Sequence, residues 1–208
     1  MIDYQGVLGV SVHEYVVSHS RFIATATNIG NAEEAAEFIR EVAKRYSDAT
    51  HNCYAYIANS EMSEMKFSDD GEPQGTAGQP MLEVLKKKKL ACTLVVVSRY
   101  FGGIKLGTGG LANAYTRVTK ECLDKANIVS FKLSEYVKIR AEYALKGKIE
   151  QAIENSGGEI SEITYLEEIE IIYAVPIDLI ETVRVALMSV TSGNIKAETL
   201  YRKYYIYK

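Results

Sequence analysis

The sequence predicts an α+β protein built as two domains, residues 1–133 and 134–208. Three observations carry this. A length of 208 residues is enough for two small hydrophobic cores. Short stretches rich in β-branched and aromatic residues alternate with stretches whose apolar residues recur at helical spacing. The last part of the chain reads strand, helix, strand, strand, helix, strand, the βαββαβ order of a split-βαβ, ferredoxin-like domain.

The elements follow in order. Gly9 to Thr27 mixes β-branched and aromatic residues and holds two strands. Asn31 then starts a helix, with Glu34 three residues on as in a capping box, and Ala35, Ile39, Val42, Ala43 and Tyr46 form its apolar face. Cys53 to Ala58 and Met65 to Ser68 are strands. Pro80 suits the first turn of a helix that runs to about Lys89. Ala91 to Ser98 is almost continuously apolar, as in a strand buried on both faces. Leu111, Tyr115, Val118 and Cys122 are the stripe of the next helix. In the second domain, Val137 to Tyr143 is a strand, and Leu145 to Asn155 a helix that Gly157-Gly158 ends. Strands follow at Glu159 to Tyr165 and Glu168 to Val175. Asp178 caps a helix with Glu181 in the box position, Gly193 stops it, and Ile195 to Tyr207 is the last strand. The boundary between domains falls within Phe131 to Tyr136.

Composition narrows the function classes. Residues 1–133 carry 15 Lys/Arg against 15 Asp/Glu, and residues 134–208 carry 9 against 12. Neither half has the bulk positive charge of a strong nonspecific nucleic-acid binder, and no DNA partner is expected. The start lacks the basic, apolar and small-residue succession of a secretory signal, and the longest apolar run, Leu94 to Val97, is too short for a membrane. Cys53, Cys92 and Cys122 cannot all pair within one chain and sit in apolar stretches. Buried free thiols in a reducing compartment, the cytoplasm, are the simple reading.

Two glycine-rich loops hold the candidate chemistry. The first runs Ser68-Asp69-Asp70-Gly71-Glu72-Pro73-Gln74-Gly75-Thr76-Ala77-Gly78. The second runs Tyr100-Phe101-Gly102-Gly103-Ile104-Lys105-Leu106-Gly107-Thr108-Gly109-Gly110. Each follows a strand and enters a helix, whose first N–H groups are unpaired and carry the positive end of the helix dipole. Glycine lets an anion approach that backbone. With Arg99 and Lys105 beside the second loop, the expectation is one pocket of bare amides fit for phosphate. Turns and caps that bind nothing are the plainer account of a single such loop.

Other features are weighed the same way. Asp69, Asp70 and Glu72 are a carboxylate cluster of the sort hard cations take, but a solvated turn is favoured, and no histidine spacing supports zinc. No metal or cofactor is expected. His51 and Cys53 lie two apart on a strand without a third catalytic partner, so Cys53 reads as core and His51 as a strand-edge residue able to line the glycine site. His13 and His19 show no constellation. Lys86 to Lys89 reads as a solvated helix end. Tyr201, Tyr204, Tyr205 and Tyr207 read as cross-sheet packing rather than base stacking.

The motifs also carry a resemblance. Phe67 to Pro80 (FSDDGEPQGTAGQP) and Val95 to Tyr115 (VVVSRYFGGIKLGTGGLANAY) closely resemble the paired signatures of the YigZ/Impact family; SRF at Ser20 to Phe22 and HNCYAY at His51 to Tyr56 are similar to further family elements. The resemblance implies a ribosomal-protein-S5 domain-2-like first domain and a second resembling the last domain of elongation factor G. It thereby implies the ribosome, RNA or a translation-regulatory protein as partner. Eukaryotic members regulate translation by competing for an activator of a stress-responsive kinase. Some bacterial members carry a proline-dipeptidase label, but the metal-binding Asp/His/Glu pattern of such a peptidase is missing here. Asn113 stands where many relatives have arginine; Arg117, one turn on, is the candidate replacement.

The expected function is a noncatalytic regulator or binding module near translation. Its binding residues would be Arg21, His51, Asp69, Asp70, Glu72, Gly75, Thr76, Arg99, Tyr100, Phe101, Gly102, Gly103, Lys105, Gly107, Gly109, Gly110 and Arg117. The alternative is a magnesium-dependent, nucleotide-binding enzyme of small-molecule-kinase type, with Leu106 to Ala112 as phosphate loop and Asp69 or Asp70 placing the metal.

Overall fold

The computed structural model describes residues 3–207; Met1, Ile2 and Lys208 lie outside the described residues. The chain divides into two compact units, residues 1–130 and 131–208.

In the first unit a five-stranded antiparallel sheet has the order β2-β3-β6-β4-β5. These strands are β2 (Val10–Val17), β3 (Ser20–Asn28), β4 (His51–Ile57), β5 (Met65–Ser68) and β6 (Thr93–Tyr100). The short β1 (Tyr4–Val7), which the residue pattern did not mark, precedes them. Gln5 bridges Leu90, and the Leu8 amide bonds the Asn127 carbonyl. Helix α1 (Ala32–Arg45) covers one face; α2 (Gly78–Lys87) and α3 (Gly107–Lys125) cover the other.

β6 shows why. Leu94 and Val96 pack with Val42 of α1, while Val95 and Val97 pack with Met81, Leu85 and Tyr115 of α2 and α3. A strand in the middle of three layers has no polar face to present, which is the physical meaning of its apolar run. The capping box at α1 is formed: the Asn31 side chain accepts from the Glu34 amide at 2.9 Å, and Glu34 Oε2 accepts from the Gly30 amide at 2.7 Å.

The second unit has the order β10-β7-β9-β8. Its strands are β7 (Ile128–Ala141, which begins three residues before the unit), β8 (Glu159–Tyr165), β9 (Ile169–Pro176) and β10 (Lys196–Ile206). All four pair antiparallel, and α4 (Lys146–Asn155) and α5 (Ile180–Val190) supply the crossovers. Val137, Ile139, Ile169, Ile171 and Tyr173 meet Ile149, Ile153, Val183 and Leu187 in one core. Gly157 and Gly158 end α4 by bonding back to the Glu154 and Ile153 carbonyls at 3.1 and 2.9 Å.

One expectation fails here. Asp178 does not cap α5: it lies inside a 3-10 turn, Ile177–Leu179, and no side chain caps the helix at Leu179. The turn continues directly into the helix, so the first orphan amides fall one step beyond the reach of Asp178, and Glu181 bonds Arg184 instead at 3.0 Å. The C-terminal tyrosines pack on the sheet, Tyr201 stacking on Tyr136 at 4.7 Å between ring centres. The cysteines are free and buried. No helix among the described residues is long and apolar enough to cross a membrane.

Candidate functional site

The site grows from one end of the first unit's sheet. β4 begins there at His51, opposite Arg99 near the end of β6, and β3 begins there at Ser20. The loop after β5 enters α2, and the loop after β6 enters α3.

The first loop is internally satisfied. Asp69 to Glu72 is a turn closed by the Glu72 amide on the Asp69 carbonyl at 2.9 Å. Both central residues have positive φ, 43° at Asp70 and 85° at Gly71, which an Asp-Gly pair tolerates. Asp69 then turns its carboxylate onto the start of α2, accepting from the amides of Gly75, Ala77 and Gly78 at 2.8, 3.0 and 2.9 Å. Thr76 is buried and donates to the Pro73 carbonyl at 2.6 Å. The expectation of bare amides at Gly75 to Gly78 is therefore corrected: the loop's own aspartate fills the anion position that the helix start creates. Asp70 accepts from the Asn52 amide at 2.6 Å and so ties the turn to β4.

Glu72 goes inward. Its side chain is only 2 % exposed, and Oε1 accepts from Arg99 Nη1 at 2.6 Å and from the Tyr115 hydroxyl at 2.8 Å. Arg99 is itself buried and lies over the rings of Phe22 and Phe101 at 5.4 and 5.5 Å, while its Nε has no hydrogen-bond partner among the described residues. The residue expected to hold phosphate beside the second loop is thus committed to a carboxylate of the first. An unpaired guanidinium at this depth would cost several kcal/mol, and the pair is the arrangement that avoids it. Cys53 completes the chain of contacts, donating to the Asp69 carbonyl at 3.0 Å and reaching the Tyr115 hydroxyl at 3.4 Å. Burial pushes the Cys53 thiol up to about 12, and burial likewise raises Tyr115 far above its ordinary value. Both are proton carriers locked in the neutral form. His51 Nδ1 sits 2.7 Å from the Asp70 carbonyl, and its Nε2 is 4.0 Å from Glu72 Oε2.

The second loop is open. Its root is fixed: the Gly102 amide donates to Ser20 Oγ at 3.1 Å, the Phe101 amide to Thr50 Oγ1 at 3.2 Å, and a Cβ on Gly102 would lie 2.0 Å from the His19 carbonyl carbon. Beyond that root, Gly103, Lys105, Gly107, Thr108 and Gly109 are exposed. A Cβ on Gly103, Gly107 or Gly109 would meet nothing within 4 Å, and no side chain caps the start of α3 at Leu106. Gly110 is partly covered by the Leu106 side chain. Lys105 makes no hydrogen bond or ion pair among the described residues, so its charge is free at this loop.

The remaining candidates lie to the sides. Tyr100 donates to Asp48 at 2.7 Å, and Arg21 lies over the Tyr100 ring at 5.4 Å while pairing with Glu14 at 2.9 Å. Arg117, roughly 15 Å along α3 from Gly107, pairs with Glu121 at 2.8 Å and lies over Tyr15 at 4.5 Å. His13 does have a constellation: Nε2 meets Glu121 at 2.9 Å and Nδ1 meets Lys125 at 3.0 Å. Sequence reasoning placed Tyr115 only on an apolar stripe and passed over Asn52 and Ser98, whose side chains bond one another at 2.6 Å. The available signal was Tyr115 itself: a tyrosine in an aliphatic stripe needs a partner for its hydroxyl.

Comparison with known proteins agrees with the two units. Residues 18–123 match the Impact N-terminal domain, and residues 139–194 match a domain of unknown function, DUF1949. The chain is 46% identical over 168 residues to "IMPACT family member YvyE" of Bacillus subtilis, covering 81% of this chain and 77% of that protein. It is 37% identical over 149 residues to "IMPACT family member YigZ" of Escherichia coli, covering 67% and 73%. With "Protein IMPACT homolog" of Dictyostelium discoideum it shares 45% identity over 67 residues, 31% of this chain and 19% of that one. A solved structure described as "Crystal structure of an hypothetical protein" superposes with a TM-score of 0.65 at 28% identity, covering 97% and 98% of the two chains.

Proposed function

Because the chain belongs to the bacterial YigZ/IMPACT family, we propose that it is a noncatalytic, translation-associated binding module that holds RNA phosphates at the start of α3. The observation that carries the reading is the contrast at the two helix starts. Asp69 takes the amides of Gly75, Ala77 and Gly78 at the entry to α2, whereas no side chain bonds the amides at the start of α3, where exposed glycines and the unpaired Lys105 stand. Phosphate oxygens accept from amides of this kind, and one nearby ammonium adds charge without fixing sequence.

The partition of charge explains why so modest a basic balance suffices. Arg99, Arg21 and Arg117 are each paired with a carboxylate, so the field at α3 comes from the backbone and Lys105. The reading carries with it the ribosomal-protein-S5 domain-2-like assignment of the first unit, the ferredoxin-like assignment of the second, supported by its β10-β7-β9-β8 order, and a cytoplasmic place of work. The kinase alternative draws no support from the first loop: Asp69, Asp70 and Glu72 all spend their carboxylates on amides, Arg99 and Tyr115.

Filter binding and ribosome co-sedimentation at low and moderate salt test the proposal. RNA retention should fall as salt rises and drop about tenfold in Gly107→Glu, where a carboxylate occupies the phosphate position. Absence of retention at both salts removes the RNA reading, and capture of a protein by wild type but not by Gly107→Glu would replace it. A magnesium-dependent thermal shift with ATP would restore the enzyme.

A further inference from the structure

Two strands, β2 and β5, form the edges of the first unit's sheet, and they are built differently. β5 is four residues long and has Lys66 inside it. β2 is eight residues long, its register with β3 runs unbroken from Val10 to Val17, and it holds no proline, lysine or arginine. The second unit also guards its edges. β8 is bulged between Ile160 and Glu162, and β10 is bulged between Thr199 and Tyr201 and carries Lys196, Glu198, Arg202 and Lys203. Shortness, bulges and charge are the devices that keep an edge from pairing with another chain. β2 has only the charge of Glu14, and Arg21 answers it at 2.9 Å.

The hairpin fixes which backbone groups β2 offers. Ser18 and His19 have φ of 46° and 62°, as in a two-residue turn with both central residues left-handed, and Val17 pairs with Ser20 to close it. The closing pair of such a turn is hydrogen-bonded. Ser11, His13, Tyr15 and Val17 therefore bond β3, while Val10, Val12, Glu14 and Val16 turn their backbone groups to the outer edge. The same residues expose their side chains, Val10, Val12 and Val16 at 56, 50 and 57 %. The other face of β2 is taken by α3: the Ser11 hydroxyl donates to the Cys122 carbonyl at 3.1 Å, and His13 meets Glu121.

The residues of β2 suit their own reverse. A two-fold axis through His13 sets two copies antiparallel, with Val10 to Val16 of each in register. Val10 then faces Val16 of the second copy, and Val12 faces its Glu14. The valines of both strands form one apolar row, and each Glu14 keeps its own Arg21, which lies beside Val16 on β3. The two His13 rings meet on the axis, each turned toward the Glu121 and Lys125 of its own chain. An axis through Glu14 would oppose two carboxylates. An axis through Val12 would run the pairing into Gly9, where φ is 74° and the strand has ended.

We propose that β2 pairs antiparallel with β2 of a second copy of this chain about an axis through His13, joining the two first-unit sheets into one. This dimer stands whether or not RNA binds. The β2–β3 tip packs against Gly102 at the root of the second loop, so the dimer would present that loop at either end of the joined strands. A strand pair this short lies at the small end of protein interfaces, so the dissociation constant should be on the order of 10–100 µM.

Sedimentation velocity on the full chain from about 5 to 500 µM tests the proposal. The mean mass should climb from one chain toward two, and amide exchange at Val10, Val12, Glu14 and Val16 should slow as it does. Val12→Glu places a second carboxylate against Glu14 of the other copy and should weaken association about tenfold, whereas Val12→Lys meets the same carboxylate with an ammonium and should not weaken it. Both changes fall on an exposed side chain, and the melting temperature reports that the fold is intact. A single-chain mass over the whole range would overturn the proposal and leave the edge to a strand of another protein. Equal losses in the two variants would overturn the His13 axis, and undiminished association of Val12→Glu would take the contact off β2 altogether. The exchange measurement needs no variant, so a substitution that fails to fold leaves the test standing.

Discussion

The two glycine-rich loops differ in what their own side chains do. Both follow a strand and start a helix on the same face of the same sheet. The first supplies Asp69 to its helix start and sends Glu72 into the core; the second supplies neither and leaves the start of α3 to solvent. Glycine content therefore says where a backbone is accessible in principle. The carboxylates around it decide whether the accessible amides are already taken. The difference also separates two uses of glycine within these loops. Gly78 and Gly102 are small because backbone passes 2.8 and 2.0 Å from their Cβ positions, whereas Gly109 meets nothing within 4 Å.

Substitutions sharpen this contrast, beginning with the largest effect. Glu72→Ala leaves the Arg99 guanidinium buried and unpaired, and should lower the unfolding free energy of the first unit by about 3–5 kcal/mol in urea titration. A loss below about 1 kcal/mol would mean the pair is solvated and the first loop is not the closed one. Gly102→Ala forces backbone against backbone at His19 and should cost about 3 kcal/mol or more, read as a fall in melting temperature. Asp69→Ala removes the acceptor of the Gly75, Ala77 and Gly78 amides at the entry to α2 and should cost about 1–2 kcal/mol; added sulfate should recover part of it by occupying the vacated anion position. Gly109→Ala, in open space on a helix, should gain roughly 0.5 kcal/mol, the opposite sign from its neighbour in the same loop.

The network beneath the first loop also sets an alkaline limit. The Cys53 thiol has an ordinary value of 9.0 and is held at about 12 in the fold. Above pH 9 the unfolded chain releases this proton while the folded one keeps it, so stability falls as pH rises from 9 through about 12. Cys53→Ala should flatten the pH dependence of melting in that window. At neutral pH, iodoacetamide should label Cys53 only on unfolding.

The sequence alone determined the local elements and the cores they share. Asn31 with Glu34, the apolar run of β6, Gly157-Gly158 and the βαββαβ order act through neighbours a few residues away, and they hold in the structure. Asp178 was misplaced because a helix start shifts by one turn when a 3-10 segment feeds it, and residue identity does not fix that phase. The pairing of Glu72 with Arg99 and Tyr115, 27 and 43 residues away, was decided only by the tertiary structure. Charge in a sequence carries no address: whether an arginine meets a phosphate or a carboxylate depends on which strand end folds beside it. Here β6 ends next to the Asp69–Glu72 turn, and that placement closed one loop and left the other open.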